Sequence, residues 1–308
     1  MNTGEISGPS IHVTDSYQLV RLRNGVCSVR SLADAETFHP GIGPVAEAEA
    51  LYVRQLQLSE RVCASPNEFV IWDIGLGAAA NALTAIRLIG ETLEQRKSIR
   101  LVSFDQTSEA LQFALNNSIE LNYLSGYESH VARLLRENFV GFQNGKLSVN
   151  WKFCRGDFPS LLNSRRAGQG ASDSADLLSA APQAILFDPH SPQKNPAMWT
   201  VSLFTDLFRA LDPQRPCALA NFTRSTLART ALLLGGFFVG VGHATGFKEE
   251  TTVAANTLEL IAEPLNQRWL ERALRSDSAE PLREPVYSRA RLTPDTVEKL
   301  RAHPQFHL

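Results

Sequence analysis

The chain has 308 residues, is 44% hydrophobic and 20% charged, and carries a formal charge of −2 with a pI of about 6.4. Such a composition fits a globular chain with a real core. It supplies no chain-wide positive field for nucleic acid, so any RNA contact must come from a local patch. Cys27, Cys63, Cys154 and Cys217 stand far apart without a C-x-x-C pair, which argues against a zinc site or a disulfide framework.

The opening decapeptide "MNTGEISGPS" lacks a basic-then-apolar pattern, and no apolar run reaches membrane length, so a cytoplasmic protein with no membrane contact is expected. "QLVRLRNGVCSVRS" reads as two short strands around Asn24-Gly25, a dipeptide suited to a tight hairpin. "HPGIGP" leads into "VAEAEALYVRQLQL", which has helical periodicity with Pro44 at a first-turn position. In "EFVIWDIGLGAAANALTAIRLIG" an apolar run meets Asp73, then two glycines, then an alanine-rich helix. "SIRLVSFDQ" is a second buried strand ending at Asp105, followed by a helix with Thr107 or Ser108 as cap. "KLSVNWKFCRGD" is a third strand ending at Asp157. Residues 164–180 are small and polar and read as a flexible surface loop. The fourth strand ends at Asp188, "PAMWTVSLFTDLFRAL" is helical, "CALANFT" is a fifth strand, "RSTLARTALLLGG" a helix, and further strands are expected within 237–261.

Strands and helices alternate and the apolar runs look buried on both faces. The expected fold is therefore α/β, Rossmann-like, with a mostly parallel sheet covered by helices on each side and an N-terminal β-hairpin extension. The expected division is 1–45 for the extension, 46–263 for the main domain and 264–308 for a helical tail, with no internal repeat.

Ligands of such sheets bind beyond the carboxyl ends of the strands, at the topological switch point. Asp73, Asp105, Asp157 and Asp188 each close a predicted strand and would meet on that rim; a single such aspartate would more often be a helix cap. Gly75 and Gly77 form only two-thirds of a glycine loop, with Ala79 at the third position. S-adenosylmethionine has no phosphate, so Asp73 could hold its ammonium. Asp105 could accept both ribose hydroxyls, and Asp157 the adenine amino group. Asp105 would serve NAD equally well; the third acidic position favours the methyl donor.

"ILFDPHSPQKNPAMW", Ile185 to Trp199, follows an apolar strand with an aspartate and three prolines. Methyl transfer to an amine needs a neutral nitrogen with its lone pair aimed at the methyl. The carboxylate and the backbone carbonyl of Asp188 offer two acceptors for N–H, held stiffly by proline, and the carboxylate could take the proton. A plain reading also exists: a proline-rich turn that caps the next helix.

"FDPHSPQKNPAMW" resembles the D-x-F-x-P-x-K-N-P-x-[LM]-W signature of the tRNA 5-aminomethyl-2-thiouridine methyltransferases, the methyltransferase half of the bifunctional MnmC enzymes, also found free-standing. The resemblance runs from roughly residue 14 to 260, through "DSYQLVRLRNGVCSVRSLADAETFHPGIGPVAEAEALYV" and "GFFVGVGHATGFKEETTVAAN". It implies a class I S-adenosylmethionine-dependent methyltransferase that N-methylates the aminomethyl group of the wobble uridine in tRNA. It further implies that Glu47, Gly75, Gly77, Asn81, Asp105 and Asp157 line the S-adenosylmethionine pocket and that Asp188 is catalytic. His39, Pro189, Lys194 and Asn195 fall at substrate-side positions, and Trp199 at a core position.

The chain departs from the family at three places. Ala79 would narrow the approach to the ligand. Pro189-His190 replaces an aromatic residue beside the signature aspartate. The basic cluster near the end is reduced to "FKEET", which weakens the tRNA inference. Two alternatives therefore stay open: the same fold with another amine acceptor, or a non-catalytic S-adenosylmethionine-binding partner protein. The chain has no flavin-binding segment, so a separate flavin-dependent oxidase protein is the partner that the resemblance suggests.

Overall fold

In the computed structural model, which describes residues 14–166, 180–246 and 249–307, the opening hairpin pairs β1 (Tyr17–Arg21) antiparallel with β2 (Cys27–Ser31). Gly25 takes φ +84° at the turn, a conformation that glycine adopts at no steric cost. The following segment reaches back along the hairpin, where Ser28 Oγ donates to the carbonyl of Phe38 and Asn24 Nδ2 donates to that of Ile42 at 3.0 Å.

Pro44 opens the helix as expected, but the helix is not uniform. It runs as α1 (Pro44–Ala48), widens into a π-helical turn over Glu49–Arg54, breaks at Gln57 with φ +50°, and resumes as α2 (Leu58–Ala64). The wide turn lets Leu51, Tyr52 and Val53, three successive residues, all be buried. Such turns recur at functional sites.

The main sheet has the order β5-β6-β4-β3-β7-β8-β10-β9 among the described residues. Its centre is parallel: β3 (Phe69–Ile74) lies between β4 (Lys97–Asp105) and β7 (Ala184–Phe187), with β6 (Leu147–Arg155) and β8 (Ala218–Asn221) outside them. The antiparallel partners are β5 (Phe139–Asn144) beside β6, and β10 (Thr251–Ala255) and β9 (Phe238–Gly242) beyond β8. The chain lays down β3, β4 and β6 outward and then returns to place β7 on the other side of β3. The switch point therefore lies where the ends of β4, β3 and β7 meet.

Every residue of β3 is buried, and its side chains alternate between two cores. Phe69 and Ile71 face the layer of α1, α2 and α3 (Ala80–Thr92); Trp72 and Ile74 face an aromatic layer with Phe104, Phe158, Phe187, Trp199 and Phe204. Burial on both faces is what the unbroken apolar runs encode. Of the predicted loop 164–180, residues 164–166 are the end of α7 (Phe158–Arg166); residues 167–179 lie outside the described residues, as does Lys248 of the reduced basic cluster. "PAMWTVSLFTDLFRAL" is two pieces, a 3₁₀ turn over Pro196–Trp199 and α8 (Val201–Arg209), because Thr200 caps the second by accepting from the amide of Leu203.

The tail folds back on the sheet through α10 (Gln267–Leu274) and α11 (Pro294–Arg301), which follow α9 (Thr226–Leu234). Residues 263–265 run along β9, where Val241 donates to Glu263 and Leu265 to Val239, each at 2.9 Å. The Gln305 side chain accepts from the amide of Val239 and donates to its carbonyl, both at 2.7 Å.

Candidate active site

A cavity of about 780 Å³ opens at the switch point, roofed by the segment Asp34–Pro40 that follows the hairpin. Its size suits a bound cofactor together with part of a substrate. Glu47, Gly75, Gly77, Asn81 and Asp105 line it, and so do His39, Asp188, Pro189, Lys194 and Asn195. Asp73 and Asp157 are not in its lining.

Asp188 sits directly after β7, and its amide donates to the carbonyl of Ile74 in β3 at 2.8 Å. Its Oδ2 accepts from Asn81 Nδ2 at 2.6 Å, and His39 Nε2 stands 3.8 Å away. Only 17% of its side chain is exposed, so the carboxylate faces the cavity rather than bulk water. Gly75 explains how the strand end comes so close. It has φ +93°, and a Cβ there would stand 2.5 Å from the Asp188 carbonyl oxygen. Trp199, wholly buried, donates from Nε1 to the carbonyl of His190 at 2.9 Å and fastens the same loop from below.

Asp105, at the end of β4, is tied to the glycine turn: the Gly77 amide donates to Oδ2 at 2.9 Å and the Thr107 amide to Oδ1 at 3.2 Å. Burial pushes its pKa up, and these backbone bonds oppose the shift. Phe38 lies across Gly77, where a Cβ would meet its ring at 3.3 Å. Asp73 lies within β3, wholly buried beneath the turn; Ser103 Oγ donates to its Oδ2 at 2.7 Å and Trp151 Nε1 supports Ser103 at 2.9 Å. Burial, helped by Asp188 and Asp105 and opposed by Ser103, lifts its pKa to about 8. Tyr52 is also wholly buried, and its pKa is raised well above the usual value by burial and then by Asp188, Glu47 and Asp73.

Asp157 serves the backbone. It caps α7: its Oδ2 accepts from the amide and hydroxyl of Ser160 in the first turn, and its Oδ1 accepts from Gln106 Nε2. Its neighbours Gly156 and Phe158 line the cavity instead. Ala79 is buried and absent from the lining, so its methyl does not narrow the pocket. The cost of alanine there is conformational: the residue adopts φ +62° at the N-cap of α3.

Sequence reasoning missed the roof. Glu36 accepts from the Ser191 hydroxyl at 2.5 Å and lies 3.1 Å from His190 Nδ1, while Asp34 lies 3.2 Å from His190 Nε2. The Pro189-His190 departure is thus a strap that joins the Asp188 loop to the N-terminal extension. "FHPGIG" carried a signal for Phe38; the pairing of residues 154 apart in sequence carried none.

The charges sort by depth. Asp34, Glu36, Glu47, Asp105 and Asp188 line the cavity, against the permanent cations Arg30 and Lys194. Asn81 Oδ1 and Asp73 Oδ1 are buried acceptors without a protein partner among the described residues. Such groups are expected to find one in a bound ligand or water.

A family model for S-adenosyl-L-methionine-dependent methyltransferases matches residues 171–257. The bifunctional protein MnmC of tRNA 5-methylaminomethyl-2-thiouridine biosynthesis from Ectopseudomonas mendocina is 28% identical over 237 residues, 73% of this chain. Its counterpart from Leptospira interrogans is 25% identical over 67% of the chain. The chain is similar to MnmC over some two-thirds to three-quarters of its length. It spans about a third of the length of these curated proteins, 33% of the first and 30% of the second. The crystal structure of MnmC2 from Aquifex aeolicus superposes with a TM-score of 0.63 over 88% of this chain and 80% of that one, at 19% identity, and so has the same fold. The fold is that of the S-adenosylmethionine-dependent methyltransferases, and S-adenosylmethionine is the cofactor that the family match and the fold indicate. The residues present fit it: a carboxylate at the end of β4, a glycine turn that Phe38 and Asp188 approach closely, and an acidic interior for a ligand bearing sulfonium and ammonium charge.

Proposed function

We propose that this chain transfers a methyl group from S-adenosylmethionine to the aminomethyl nitrogen of 5-aminomethyl-2-thiouridine at the wobble position of tRNA. The observation that carries the reading is Asp188: a carboxylate held at 2.6 Å by Asn81, at the switch point, inside a cavity whose charged residues are mainly acidic. S-adenosylmethionine, when bound, supplies an electrophilic methyl on a sulfonium. Glu47, Gly75, Gly77 and Asn81 would border it, with Asp105 as acceptor for ribose hydroxyls. Asp73 lies buried in β3, bonded to Ser103, and Asp157 fixes the helix that carries Phe158 to the cavity wall.

With Oδ2 engaged by Asn81, Asp188 turns its remaining acceptor capacity to the incoming amine. The acidic interior attracts a cationic amine; transfer requires the neutral one, so the amine first releases one proton to solvent. Asp188 accepts the N–H bond, leaves the lone pair directed at the methyl, and receives the proton that nitrogen sheds after the new C–N bond forms. His39, Pro189, Lys194 and Asn195 border the substrate side of the same space. The reading also takes the cytoplasm as the compartment and a separate flavin-dependent oxidase protein as partner. No helix among the described residues is long and apolar enough to cross a membrane.

The test is incubation with methyl-labelled S-adenosylmethionine and tRNA bearing 5-aminomethyl-2-thiouridine, followed by nucleoside digestion. Label in 5-methylaminomethyl-2-thiouridine supports the reading. Titration that shows S-adenosylmethionine binding but no label in this nucleoside overturns the acceptor assignment.

A further inference from the structure

The cavity around Asp188 continues past its own rim. Thr37 and Pro40 line it, and they also line a shallow groove of about 570 Å³ flanked by Arg21 and Arg23. Arg30 stands at the junction, donating from Nη1 to Thr37 Oγ1 at 3.1 Å. The hairpin that bears these arginines is fixed in place: Asn24 bonds to Ile42, and Arg21 Nη1 donates to the Gly25 carbonyl at 2.9 Å. Two carboxylates of the extension, Asp34 and Glu36, are engaged by His190. Among the described residues no ion pair involves Arg21, Arg23 or Arg30, and Arg21 and Arg23 are exposed.

Carboxylates thus outnumber cations in the cavity lining, and arginines flank one exit. A small free amine gains from the first and is repelled by the second. A substrate that places an amine on a phosphate chain gains from both. We propose that the Arg21–Arg23 groove holds the phosphodiester chain next to the nucleoside whose amine enters the cavity. This rests on the reading of the acceptor as an RNA nucleoside. It also moves the positive surface from the reduced segment near residue 248 to the N-terminal hairpin, where it adjoins the site directly.

The test compares the full chain with Arg21→Gln/Arg23→Gln and with a control pair, Arg268→Gln/Arg275→Gln, on the exposed tail. The probe is a fluorescent anticodon stem–loop, titrated by anisotropy at several salt concentrations. For two lost phosphate contacts the slope of log K against log salt should become shallower by about 1.5, with weaker binding and unchanged S-adenosylmethionine affinity. The control pair should leave the slope alone. Equal slopes for wild type and the hairpin variant, or equal losses in both variants, overturn the groove while leaving the acceptor assignment intact. Failure of the wild type to bind RNA at any salt concentration overturns both.

Discussion

Asp73 has an ionisation set by the fold, and replacing it gives a sharp test. Its carboxyl is wholly buried, Oδ2 accepts from Ser103, and burial raises the pKa from 3.8 to about 8. In the unfolded chain the group ionises near its ordinary value. Between pH of about 4 and about 8 the folded state therefore binds one proton more than the unfolded state. Stability from this group is fully present below the unfolded pKa and falls as pH rises, by about 1.4 kcal/mol per pH unit, until the folded pKa is passed. Asp73→Asn keeps an acceptor for Ser103 and removes the titration. The variant should gain on the wild type by about 4 kcal/mol between pH 5 and pH 8. Urea denaturation at several pH values, with the m-value unchanged, measures the gap. A gap that stays level across this range would refute the buried, protonated state of Asp73.

Three further outcomes follow from the geometry. Asp188→Ala should lower kcat by at least about a hundredfold while leaving S-adenosylmethionine binding within a few-fold by calorimetry; loss of donor binding would make Asp188 part of the donor pocket. Gly75→Ala forces a Cβ to 2.5 Å from the Asp188 carbonyl oxygen at φ +93°, and should cost about 2–4 kcal/mol in urea denaturation; an unchanged midpoint would mean that the two strand ends do not pack so closely. Ala79→Gly relieves φ +62° but removes a wholly buried methyl, so the two effects should nearly cancel, within about 1 kcal/mol; a loss of several kcal/mol would refute a left-handed residue at that cap.

The parallel centre of the sheet was legible because burial on both faces writes unbroken apolar runs, and two of the four strand-end aspartates, Asp105 and Asp188, mark where those runs meet the cavity. β5 was not legible: its burial alternates, with Phe139, Gly141 and Gln143 exposed, so "FVGFQN" lacks a core-strand pattern. The π turn was missed because Leu51, Tyr52 and Val53 break the helical period only once the packing on both sides is known. Asp157 shows the limit of reading by register. Its position matches the other strand ends, yet the polar hydrogens of Ser160, three residues on, claim its carboxylate. The strap from Asp34 and Glu36 to His190 is a tertiary pairing of polar residues, and no local period encodes it.

Gln305 has a consequence for the company the molecule keeps. Its amide group meets the N–H and C=O of Val239 as a neighbouring strand's peptide would. A single side chain thus stands in for a strand at the β9 border of the sheet. Remove that amide and the Val239 N–H loses its acceptor, while the carbonyl keeps the bond from Leu265 in the segment 263–265 that runs along the same border. Exposed strand borders invite pairing between molecules. The tail thus covers a border that would otherwise offer unpaired backbone groups to a second molecule.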